Sequence, residues 1–86
     1  MAFVFKARDI VVSVKVRDEH PPAHVHVESA KYAVEIDISG TTPKVVRRSR
    51  KRRITTTEAF NRKALQLVRD NLQLCKDTWR QYHGDL

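Results

Sequence analysis

The chain has 86 residues, a net charge of +7 and one cysteine. A chain this short forms a single domain that buries only about 60 to 65% of its unfolded surface, and one cysteine rules out an intrachain disulfide framework. The few apolar residues of "MAFVFKARD" are too short for a signal peptide or a membrane span, and no other uncharged apolar stretch approaches spanning length, so the expectation is one soluble, cytoplasmic domain over residues 1–86 with no membrane partner.

The first regular element is read at "IVVSVKV" (10–16), where Ile10, Val12, Val14 and Val16 alternate with Val11, Ser13 and Lys15. That two-residue period is the mark of a half-buried strand. Asp18, Glu19, His20, Pro21 and Pro22 supply turn chemistry, and the prolines cannot donate to a ladder. "AHVHVES" alternates again, with Val25 and Val27 on one side and His24, His26 and Glu28 on the other. After a short connection at Ser29, Ala30 and Lys31, "YAVEIDI" sets Tyr32, Val34, Ile36 and Ile38 against Ala33, Glu35 and Asp37, and the two segments read as a hairpin. A further turn at 39–43 leads to a weaker strand at 44–47.

Residues 47–53, "RRSRKRR", hold six of the 17 basic residues and no acid: Arg47, Arg48, Arg50, Lys51, Arg52 and Arg53. The remainder carries 11 basic against 10 acidic residues, so the domain is nearly neutral and the charge is concentrated in a basic loop over 47–56. Such a run attracts polyanions by counterion release, which points to RNA or DNA, or to an acidic partner protein. A solvated loop without a partner is the bland alternative.

Beyond it, Leu65, Val68, Leu72, Cys75, Trp79 and Tyr82 recur at helical spacing, with Ala64, Leu67 and Leu74 widening the stripe. Two starts are available, a capping-box pattern of Thr55 with Glu58 and an N-cap at Asn61. The helix is expected within 57–83, secure from 62 to 82, with Gly84 as its stop. A sheet over 10–47 and this helix give an α+β fold: three or four antiparallel strands with one long C-terminal amphipathic helix on one face.

That packing would leave Ser13, Lys15, His24, His26, Glu28, Glu35 and Asp37 on an exposed face. Three readings of the histidines stay open. His24 and His26 can act as a general acid–base pair on a ribose 2′-hydroxyl, a metal-independent ribonuclease chemistry needing no cofactor. With His20 or Glu28 as a third ligand, they can hold zinc or another transition metal. They can also be ordinary polar residues of a strand. Cys75 reads as a buried thiol, Trp79 and Tyr82 as core or interface anchors, and Glu35 and Asp37 as cross-strand partners of Lys15 or Arg17. Small size and a free strand edge add a homodimer to the expectations.

The ordered segments "HPPAHVHVE", "YAVEIDI" and "KALQLVRDNLQLCKDTW" resemble a small bacterial family, domain of unknown function 4160, over about residues 10–79. By position, the family's paired histidines correspond to His24 and His26, its proline pair to Pro21 and Pro22, and its helix residues to Ala64, Leu65, Leu67, Val68 and Trp79. Two departures stand out: an alanine separates the prolines from the first histidine, and the segment before the helix is longer and more basic. The resemblance implies a prokaryotic or phage-borne protein whose relatives often lie beside another small gene, similar to toxin–antitoxin pairs. It implies a small cognate partner protein and supplies no activity.

Overall fold

The computed structural model describes residues 2–15, 23–46 and 56–84. Five antiparallel strands form one meander, each pairing with its neighbour in sequence: β1 (Ala2–Ala7), β2 (Ile10–Val14), β3 (His24–Glu28), β4 (Ala33–Asp37) and β5 (Lys44–Val45). Two helices follow, α1 (Glu58–Asp70) and α2 (Leu72–His83). The α+β class agrees with the expectation, while the strand count and the single helix do not. His20, Pro21 and Pro22, the run at 47–53 and the proposed cap Thr55 lie outside the described residues.

The additional strand is β1. Its "AFVFKA" has the aromatic and β-branched content of a strand, but no glycine or asparagine marks its turn. Instead Arg8, the first of two residues joining Ala7 to Ile10, takes φ 59°, the left-handed region that two-residue hairpin turns use and non-glycine residues seldom occupy. A bulge follows, because Phe3 pairs with Ser13 and Phe5 with Val12, leaving Val4 as the extra residue. Val4 is buried and Phe3 is exposed.

The next turns are tied locally. The Ser29 hydroxyl accepts from the Tyr32 amide at 3.1 Å, and the Ser29 amide donates to the Tyr32 carbonyl at 2.8 Å. Asp37 Oδ1 accepts from both the amide and the hydroxyl of Ser39, at 2.8 and 2.7 Å, an Asx turn that ends β4. Asp37 thus serves its own turn, and Arg17, one of its expected partners, lies outside the described residues.

The helix begins at neither expected cap. Thr57 is extended, and its side chain accepts from the Phe60 amide at 3.0 Å; Asn61 is buried inside the first turn. The periodicity runs on through residue 71, but the backbone does not. Asn71 leaves helical geometry (φ −126°, ψ 28°), and its Nδ2 donates to the Leu67 carbonyl at 2.9 Å, occupying an acceptor freed by the break. The interruption directs α1 against β4 and β5 and α2 against β1 and β3. Both helices feed one apolar cluster: Phe60, Ala64, Val68, Cys75 and Trp79 meet Ile10, Val12 and Val14 of β2, Val25 and Val27 of β3, and Val34 and Ile36 of β4. Leu74 and Tyr82 are exposed, so the stripe is narrower than its spacing implies and Tyr82 is not a core anchor. No helix among the described residues is long and apolar enough to cross a membrane.

Ile36 is fully buried between Val25 and Val45, so Ile36→Ala is expected to cost about 2–5 kcal/mol in urea unfolding. Arg8→Gly removes the strained side chain from the hairpin turn and is expected to raise stability by roughly 0.5–1 kcal/mol. A loss on that substitution would show that the Arg8 side chain makes a compensating contact.

Candidate functional site

Strand alternation places the histidines as expected, but the face they occupy is not open. Register aligns Ser13, His26 and Glu35 as one rank across β2, β3 and β4, and aligns His24 with Asp37 and Lys44. Directly paired residues of an antiparallel sheet share a face. Yet Ser13 is 1% exposed, His24 0%, His26 6% and Glu35 7%. The exposed platform expected from the sequence is therefore a buried polar cluster. Trp79 of α2 lies against the His24 ring (centroids 5.5 Å apart) and also against His83 (4.2 Å). Of the other residues expected on this face, Glu28 is exposed, while Lys15 and Asp37 are half-buried.

β2 and β3 pair from Val11–Glu28 to Ser13–His26, and the ladder ends there. At that end the His83 ring reaches back to the sheet, its Nε2 lying 2.6 Å from the Lys15 carbonyl. A carbonyl can only accept, so Nε2 carries the proton and donates. This bond fixes the last turn of α2, and Gly84 (φ 82°) ends the helix beyond it. Trp79 is thereby held between two imidazoles, one on the sheet and one on its own helix.

The cluster centres on Glu35. Its Oε1 is 3.8 Å from His24 Nε2 and its Oε2 is 3.9 Å from His26 Nδ1, so each oxygen faces a different imidazole. The two rings meet edge to face, with centroids 5.1 Å apart at 66°. His24, His26 and Glu35 each offer one ligand atom, and these atoms all lie within 4.8 Å of one another. Glu35, read from the sequence as a salt-bridge partner of a cation, is the residue that joins the two histidines. Its signal was only partly available: a turn confined to 29–31 sets Val34 opposite His26, and the observed connection of residues 29–32 moves the partner to Glu35. Glu28 does not join the cluster, and His20 lies outside the described residues.

Cys75 is buried, and burial pushes its thiol up to about 11, as suits a core sulfur rather than a nucleophile. A surface depression lined by Asp9, Lys31, Tyr32, Phe60 and Lys63 sits at the opposite end of the hairpin and contains none of these residues.

A family model, described as Domain of unknown function (DUF4160), matches residues 10–80. The chain belongs to that family. The DUF4160 match spans β2 through most of α2 and includes all three members of the cluster. No curated protein and no solved structure matches the chain.

The folded thiol holds its proton more tightly than an unfolded one, so the stability it contributes is intact below about pH 9 and is lost as pH rises toward 11. Cys75→Ala is expected to flatten that decline in denaturation midpoints measured across the range. Iodoacetamide should label native protein only at the rate of unfolding; rapid labelling at neutral pH would place the thiol outside the core.

Proposed function

We propose that this DUF4160 protein binds nucleic acid, as one component of a two-protein system of the toxin–antitoxin kind. The observation that carries the proposal is charge segregation: six of 17 cations fall within residues 47–53, and the rest of the chain is close to neutral. The flanking elements add exposed cations of their own, Lys44 on β5 and Arg62 and Lys63 on α1. Phosphate contacts of this kind supply affinity without sequence readout, and a small cognate protein would supply the specificity. The gene context implied by the family resemblance supports that partner.

A ribonuclease step at His24 and His26 forms no part of this reading. A general base must come within hydrogen-bond reach of the proton it takes, and His24 is wholly excluded from solvent. The cluster's place in the reading is internal: it fixes β3 and β4 beside the strand from which the basic segment departs.

Fluorescence anisotropy with a short RNA and a DNA duplex tests the proposal. Log affinity should fall against log salt with a slope near five if about six phosphates are neutralised. Replacing Arg50, Lys51, Arg52 and Arg53 together by Ala should abolish most of the binding with circular dichroism unchanged. Equal affinity in that variant would remove the basic run from the function.

A further inference from the structure

We infer that His24, His26 and Glu35 form a binding site for a divalent transition-metal ion. This site is independent of nucleic-acid binding; β4 supplies Glu35 as a ligand, Glu28 is exposed, and His20 lies outside the described residues.

Two imidazoles and one carboxylate, with no thiolate among them, suit zinc, cobalt, nickel or ferrous iron. They reside on adjacent strands rather than on a loop, so backbone pairing sets their separation: His26 and Glu35 are directly opposed, and His24 is one step along β3 on the same face. His24 is further fixed by Trp79, which His83 and the Lys15 carbonyl hold in turn.

The contacts inside the trio are longer than a hydrogen bond and close to the spacing of two ligands on one ion. A charge-assisted hydrogen bond from imidazolium to carboxylate closes to about 2.7–2.9 Å, well inside the 3.8 and 3.9 Å found here. Two ligands each about 2.1 Å from a tetrahedral ion stand roughly 3.4 Å apart. His24 and His26 face different oxygens of Glu35, so either contact alone is within about half an ångström of the spacing on an ion; the set of one ligand atom per residue lies within 4.8 Å and closes further when an ion binds.

A second observation points to the same place. Ser13 is the β2 member of the rank Ser13–His26–Glu35, and its hydroxyl is buried with no hydrogen-bond partner among the described residues. A buried hydroxyl without a partner is costly. An ion held by three protein ligands keeps at least one position for water, and such a water gives the Ser13 hydroxyl an acceptor or donor next to the trio.

The test uses the full chain, freed of metal by a chelator and dialysed against zinc at neutral pH. The expected result is one ion per chain bound at micromolar concentration or below, with a higher melting temperature. Glu35→Gln and His26→Gln should each weaken binding by more than about 100-fold, since even outer-shell partners cost 10–100-fold; Cys75→Ala should bind as before. Should the ligand variants fail to fold, wild-type protein decides by two readouts. Cobalt should give visible d–d bands without the charge-transfer band of a thiolate, and zinc should shift the His24 and His26 imidazole resonances. No ion bound by folded wild-type protein, undiminished binding in folded Glu35→Gln, or a thiolate band with cobalt would each overturn the site.

Discussion

A carboxylate that is 7% exposed sets the terms for the centre of this molecule. Withdrawing a carboxylate from water is costly unless positive charge or donors meet it, and Glu35 lies on β4, whose other side carries Val34 and Ile36 into the apolar core. Both faces of β4 and β3 are thus committed, one to hydrocarbon and one to a polar cluster. His24 and His26 face Glu35 from the neighbouring strand, one imidazole to each oxygen, at 3.8 and 3.9 Å. The register of the β3–β4 hairpin cannot slip by one residue without turning these three groups into the core and the valines out. Polar pairing and apolar pairing therefore specify the same alignment.

The same requirement reaches into α2. His24 is buried because Trp79 lies on it, and Trp79 is positioned by the stacking of His83 and the bond from His83 to the Lys15 carbonyl. α1 meets β4 and β5 and α2 meets β1 and β3, and the helical backbone is interrupted between them at Asn71. Asn has a side chain that competes with helical hydrogen bonding, and here it bonds the Leu67 carbonyl that the break releases.

Much of this was legible in the sequence. Alternation in "IVVSVKV", "AHVHVES" and "YAVEIDI" located β2, β3 and β4 and assigned each side chain to its face; helical spacing found the buried Ala64, Val68, Cys75 and Trp79. Three features were not legible, each for a physical reason. β1 was obscured because its turn uses Arg8 at positive φ instead of a residue that advertises a turn. The break at Asn71 was hidden because the apolar spacing is continuous across it. Burial of the histidines escaped because alternation says which side of a sheet a residue occupies, not whether that side is wet; Trp79, from another element, lies against His24. The trio was partly legible: the two histidines stand in one motif, while Glu35 joins them only through hairpin register.

The meander has a consequence for how the chain reaches this state. Every strand lies beside the one made just before it, so each hairpin closes over a short loop and can form without waiting for distant chain. The exception is the return of α2 to the sheet, where His83 meets Lys15 across 68 residues. That closure carries the largest entropic cost, and it falls to the last helix. A ribosome would release the sheet progressively, hairpin by hairpin, with His24 and Glu35 still in water; only after α2 has emerged can Trp79 dry them. The polar centre, buried in the finished protein, is the last part of it to be enclosed.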